Sequence, residues 1–247
     1  KSNNSKYRLN IVSSYGDIEA YHPKVLAFSE KWNGYKYWLS YTPYPKGTDS
    51  KENPHIAVSN DLINWSAPGD KVNPLDTPEE TIAGKKYNSD SHIVYNNDTN
   101  TMYCYWRYVD DIADKVYIYR EETKDGVNWY NKIATAVSDS RDKKDYISPA
   151  ILYENGIYKM WYVDAGNIVT FAVSNDGIVW NDKNIIEIKY EKNLKTWHLD
   201  VIHTRDKYEM LVVGYDKWAN RNDMNLYYTS STDGINWAIA KTILKPS

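Results

Sequence analysis

The sequence predicts an all-β chain of the β-propeller class, built from four-stranded antiparallel blades, and three observations carry that prediction. A turn motif recurs four times in 247 residues, alternating apolar runs precede each copy, and 24 Tyr and 10 Trp stand against only 2 Phe. Repeats of this period, each a supersecondary unit unable to bury its own apolar face, are the signature of propellers and solenoids. Tyr and Trp suit twisted, half-buried strands.

The turn copies run Ser59–Trp65, Thr123–Trp129, Ser174–Trp180 and Ser231–Trp237. Three contain Asp-Gly, whose glycine accepts the positive φ of a tight hairpin; the first has Leu62 at that position. Two strands are expected upstream of each turn. The first strands are Pro23–Leu26, His92–Tyr95, Ala150–Tyr153 and Asp200–His203. The second are Tyr35–Tyr41, Met102–Tyr108, Tyr158–Val163 and Tyr208–Val213. An outer strand follows each turn. Four repeats are visible, with Tyr7–Val12 and Lys241–Leu244 left over, and a five-bladed propeller is expected of which this chain shows part. Residues 1–247 read as one propeller domain. The start at Lys1, without Met or a signal peptide, reads as a fragment of a longer protein. Ser66–Tyr87, carrying Pro68, Pro74, Pro78 and Gly84, reads as a long loop between blades.

A net charge of −3 without a Lys/Arg-rich run argues against a nucleic-acid footprint. No apolar stretch approaches the roughly 20 residues that span a bilayer. Cys104 is the only cysteine, so no intrachain disulfide can form.

Strand direction places the Asp-Gly turns and the starts of the first strands at opposite ends of each blade. The turns repeat, as packing devices must. The chemistry is expected where the copies differ: at the opening positions His22, Asp90, Ser148 and His198, and two residues on at Lys24, His92, Ala150 and Asp200. Polar groups converging on a concave centre make a default binding site. The loops after the second strands add Arg107, Asp164 and Trp218, and Trp197 offers a flat face for a sugar ring beside His198. Trp38, Trp106 and Trp161 read as core. His22, His92, His198, Asp90 and Asp200 are chemically able to hold a divalent ion, but they lack short ligand spacing, so no metal and no cofactor is expected.

His22-Pro23, Ser148-Pro149, the Gly-x-Tyr hairpins and the Ser-x-Asp-Gly-x-x-Trp turns together resemble the five-bladed propellers of glycoside hydrolase families 43 and 32, over roughly Tyr21 to Ser247. That resemblance implies a carboxylate before the proline of the first blade, a second aspartate and a glutamate acid. The matching positions here hold His22, Ser148 and His198, and only Asp90 is acidic. Glycoside hydrolysis ordinarily takes two carboxyl groups flanking the bond; Asp90 and Asp200 are the pair available for it.

The stretches Tyr21–Trp38 and Trp197–Val201 resemble propeller domains of tail-fibre receptor-binding proteins from bacteriophages of staphylococcal type. This resemblance implies a carbohydrate-binding propeller on the virion surface that recognises a host cell-wall glycopolymer such as the sugars of wall teichoic acid. It also implies a homotrimeric parent fibre, baseplate partners and no catalysis, with contacts from His22, Asp90, Arg107, Asp164, Trp197, His198, Asp200 and Trp218. The alternative is a glycoside hydrolase acting on a bacterial surface glycan.

Overall fold

The computed structural model describes residues 9–70, 72–139, 144–216 and 224–245, and these are entirely β apart from two single-turn 3-10 segments. Fifteen strands are present among them, in four antiparallel sheets ordered as simple meanders. The first sheet holds β1 (Ala20–Trp32), β2 (Tyr35–Pro43) and β3 (His55–Ser59). The second holds β4 (Lys86–Asn96), β5 (Thr101–Asp110), β6 (Lys115–Thr123) and β7 (Tyr130–Asp139). The third holds β8 (Ile147–Glu154), β9 (Ile157–Asp164), β10 (Ile168–Ser174) and β11 (Asn181–Ile186). The fourth holds β12 (Lys195–Thr204), β13 (Lys207–Tyr215), β14 (Asn225–Ser231) and β15 (Lys241–Leu244). These are propeller blades. They fall into two compact units, Ser5–Asp142 and Lys143–Ser247, each containing two blades. No helix among the described residues is long and apolar enough to cross a membrane.

The predicted strands lie inside the observed ones, but the expected count of five blades is corrected to four. The leftover tail Lys241–Leu244 is β15, the outer strand of the fourth blade, paired with β14. The first blade has three strands. A loop containing three prolines cannot supply a regular fourth ladder, and it covers the β3 edge by other means. Ser66 exchanges both backbone hydrogen bonds with Val58 at 2.8 and 3.1 Å. The Asn73 carboxamide brackets Ile56, accepting from its N–H and donating to its carbonyl, both at 2.7 Å. The Leu75 amide then donates to the Pro54 carbonyl at 2.9 Å. Of the leftover N-terminal segment, Asn10 makes one parallel bridge to Asn64; Tyr7 and Arg8 lie outside the described residues.

The turns do what their repetition implies. Asp233 Oδ1 accepts from the amides of Ile235 and Asn236 at 2.8 Å, and Trp237 Nε1 donates to the Gly234 carbonyl at 3.1 Å. The Asp61 and Asp125 turns repeat these bonds. The Ser231 hydroxyl and the Asn236 side-chain amide add two more bonds to the Asp233 carboxylate, at 2.8 and 2.7 Å. Four donors hold a carboxylate ionised, and burial opposes them only weakly at the near-exposed Asp233. The turn glycine also takes a Trp from the preceding blade. Trp161 on β9 donates to the Gly234 carbonyl at 2.8 Å, and a Cβ on Gly234 would stand 2.8 Å from the Trp161 ring. In the other unit the Trp38 ring likewise fills the space a Cβ on Gly126 would take, while its Nε1 donates to the Trp32 carbonyl at 3.2 Å. Trp38, Trp106 and Trp161 are completely buried. Trp32, outside the repeat, belongs to the core too and donates to Asn100 Oδ1 at 2.8 Å.

Candidate functional site

Each first strand carries a register break where the sequence places its opening residue. In β1 the break lies between Tyr21 and Lys24, in β4 between Ser89 and His92, in β8 between Ile147 and Ala150, and in β12 between Thr196 and His198. In the first three, the opening residue itself takes positive φ: 47° at His22, 49° at Asp90 and 51° at Ser148. A bulge re-aims one side chain out of the alternating pattern. A non-glycine residue in this region costs roughly 1–3 kcal/mol and persists where its surroundings over-determine it, typically at functional sites. The regular pairing with the one neighbouring strand, before and after each break, supplies that constraint.

In the Ser5–Asp142 unit the bulges bring three titratable groups together. His22 Nε2 lies 2.8 Å from Asp90 Oδ1, its Nδ1 lies 2.9 Å from the Thr42 hydroxyl, and Glu52 Oε1 stands 3.7 Å away. The Ser89 hydroxyl ties the two acids, donating to Glu52 Oε1 at 2.8 Å with Asp90 Oδ1 3.1 Å away. The Asp90 and Glu52 side chains are 2% and 9% exposed while that of His22 is 18% exposed, so the imidazole is the reachable face of a buried acidic cluster.

Burial alone would lower the His22 pKa, but the Asp90 charge and hydrogen bond, with Glu52 behind, outweigh it and raise it. Burial pushes the Glu52 carboxyl up to about 7, with the Asp90 and Asp49 charges adding to it and His22 and Ser89 opposing it. A carboxyl poised there can take and return a proton near neutral pH. His22 Nε2 and the Asp90 carboxylate are also a nitrogen–oxygen donor pair of the kind divalent ions accept.

Glu52 was not legible as a site residue. It ends the loop of 3-10 turns between β2 and β3 (Pro45–Gly47 and Asp49–Lys51), where no periodicity marks a residue. The neighbouring Asn53 anchors that loop, donating to Tyr15 Oη at 2.8 Å and accepting from Asn88 at 3.0 Å. His55 is fully buried between the Asn53 carbonyl and Ser14, and burial lowers its pKa to about 4, so it is a neutral structural group. Arg107 pairs in register with Ser89 at the end of β5 and hydrogen-bonds Tyr87.

In the Lys143–Ser247 unit, Ser148 Oγ and His198 Nδ1 are 2.6 Å apart. Trp197 is half-buried, edge-on to His198 and to Tyr215. Asp164 accepts from the amides of Asp145 and Ala165 at 2.8 and 2.9 Å, which gives its carboxylate a loop-holding role. Asp200 sits half-buried on β12 opposite Leu211. Asp90 and Asp200 belong to different units. Trp218 lies outside the described residues.

No family profile matches the chain. The A type blood N-acetyl-α-D-galactosamine deacetylase of Flavonifractor plautii is 29% identical over 272 residues, covering 91% of this chain and 35% of that protein. This chain therefore spans about a third of the curated relative's length. A crystal structure of an N-acetylgalactosamine deacetylase from F. plautii, in complex with blood group B trisaccharide, superposes with a TM-score of 0.84 at 25% identity, covering 97% of this chain and 75% of that one. The exo-β-1,3-galactanase of Phanerochaete chrysosporium gives 0.63 at 12% identity, over 94% of this chain and 52% of its own. A family 43 endo-arabinanase from Bacillus licheniformis gives 0.63 at 14%, over 94% and 82%. The fold is thus the β-propeller of glycoside hydrolase family 43 type, and these similar proteins are carbohydrate-active enzymes rather than fibre proteins.

Proposed function

We propose that this chain is a glycan-acting hydrolase that removes an N-acyl group from an amino sugar. The observation that carries the reading is the His22–Asp90–Glu52 cluster, in which a carboxyl poised near 7 stands beside an imidazole of raised pKa. The likeness to deacetylases supports it. So does the absence of carboxylates from three of the four opening positions, since amide hydrolysis does not need a carboxyl on each side of a glycosidic bond.

Glu52 takes a proton from water as the water oxygen bonds to the amide carbonyl carbon, and the carbonyl π electrons move onto oxygen. Protonated His22, its Nε2–H held by Asp90, turns its Nδ1–H from the Thr42 hydroxyl to that oxyanion. Collapse reforms the carbonyl and breaks the carbon–nitrogen bond, and the Glu52 proton passes to the departing nitrogen. The products are the free amine and acetate. The bulges fix these groups before substrate arrives, which is what positioning catalysis requires.

The test is acetate release from an oligosaccharide ending in N-acetylgalactosamine. Release by the native chain, lost in Glu52→Gln and Asp90→Asn, is expected. Reducing sugar released without acetate would turn the reading to the glycosidase pairing of Asp90 with Asp200. A second reading keeps the phage receptor-binding role, with wall glycopolymer and virion proteins as partners of a homotrimer on the virion surface. The departure of His22, Ser148 and His198 from the glycosidase pattern favours it, and retention on cell walls without any turnover is its expected result.

A further inference from the structure

The loop that replaces the fourth strand of the first blade also builds a cleft away from His22 and Asp90. Asp76, Pro78, Glu79 and Glu80 of that loop face Lys86, Tyr108, Tyr119 and Lys132 of the second blade across about 350 Å³. That is within the roughly 300–1,000 Å³ of small-molecule sites.

Its floor is aromatic. Tyr117 and Tyr119 lie 7° from parallel with centroids 5.5 Å apart, and Tyr108 lies 5.8 and 6.0 Å from them. All three are half-buried. Alternation places them on one face of the sheet, because Tyr108 pairs directly with Tyr117 and Trp106 with Tyr119.

The walls are polar and fixed. Lys132 Nζ lies 2.5 Å from Asp76 Oδ1 and 4.7 Å above the Tyr119 ring, while Asp76 Oδ2 accepts from Asn88 at 3.1 Å. Lys86 bridges to Glu80 at 2.8 Å. Paired charges of this kind present several donors and acceptors with little net charge, which suits hydroxyl groups better than a free anion. With Tyr119 stacked on Tyr117 and covered by Lys132, the Tyr108 ring is the flat surface that suits the C–H face of a pyranose ring.

We propose that this cleft is a second carbohydrate-binding site, taking one hexopyranose residue with its apolar face on Tyr108, which Tyr119 supports at 6.0 Å, and its hydroxyls on Asp76 and on Lys132 held over Tyr119. It shares no side chain with the His22 cluster. A glycan held at both places would gain avidity by effective concentration.

The probe is free galactose, titrated at millimolar concentration by saturation-transfer NMR and by retention of the chain on galactose-bearing beads. Tyr119→Ala and Lys132→Met should each cut retention by about tenfold, while acetate release from a monosaccharide substrate stays as in the native chain. Tyr119→Phe, which keeps the ring, should retain binding and guards against a folding defect. Unchanged retention in Tyr119→Ala and Lys132→Met, with native melting temperatures, would overturn the proposal. Because the readout is binding, a chain that releases no acetate can still show the cleft occupied, so the two proposals fail separately.

Discussion

Replacing Glu52 by Gln should make the chain more stable in mild alkali and inactive at the same time. The carboxyl is carried from an ordinary 4.5 to about 7 mainly by burial. At about 1.4 kcal/mol per tenfold change in proton affinity, that gap is on the order of 3 kcal/mol. The folded-state value is raised, so the folded state holds the proton more tightly. Its stabilising contribution is complete below pH 4.5 and is lost as pH rises through about 7. His22 acts in the same direction, its raised pKa favouring the fold most below 6.5. His55, whose pKa burial lowers to about 4, gains stability over part of the same range, so the native curve alone does not isolate Glu52. From pH 4 to 8 the native chain should lose up to roughly 3 kcal/mol relative to Glu52→Gln, which cannot ionise. Urea midpoints at the two pH values measure the difference, and acetate release at pH 7 measures the activity. If native and Glu52→Gln proteins lose the same stability over that range, Glu52 is not held protonated by its surroundings and its role as the proton-transfer group falls.

Gly234→Ala should destabilise more than Gly156→Ala in the same unit. Both have positive φ, 75° and 80°, but only at Gly234 does a Cβ meet a Trp ring, while nothing stands within 4 Å at Gly156. The shared backbone cost is roughly 1–2 kcal/mol, and overpacking adds about 1–3 kcal/mol, so equal urea midpoints would disprove the inter-blade Trp lock. His22→Ala should abolish acetate release, whereas Ser148→Ala, which removes the 2.6 Å contact to His198, reports by comparison whether that pair shares the chemistry. Trp197→Ala should weaken glycan binding by up to roughly tenfold through lost stacking, read by titration with the same oligosaccharide. Cys104 is fully buried with its thiol pKa raised by burial, so iodoacetamide should label it only in denaturant.

The fold was legible because its packing device is local. A seven-residue turn that caps itself through one aspartate and seats a neighbour's Trp on one glycine must repeat wherever a blade repeats. The opening positions were legible for the converse reason, since they are where equivalent residues differ. Glu52 was not, because its place depends on Ser89 and His22, residues distant in sequence that only packing of β1 and β2 against β4 brings near. The first blade's missing strand was equally hidden. Asn73 does a strand's work on Ile56 with a side chain, and no strand periodicity encodes that. The leftover tail suggested a further blade only because β15 is short and its four residues are exposed on the outer edge.

The same bulge also accounts for how one scaffold holds different chemistries. In each of the first three blades the residue at positive φ is presented by one break in the ladder, and its backbone geometry does not depend on whether it is His22, Asp90 or Ser148. The cost of the strained conformation falls on the ladder, so the side chain is free to change without loss of the fold. A carboxylate there suits glycosidic cleavage; an imidazole backed by Asp90 and Glu52 suits a reaction in which one buried proton is moved and returned. The backbone thus preserves the likeness to family 43 propellers, while under the proposed function the substituents on it set which bond is cleaved.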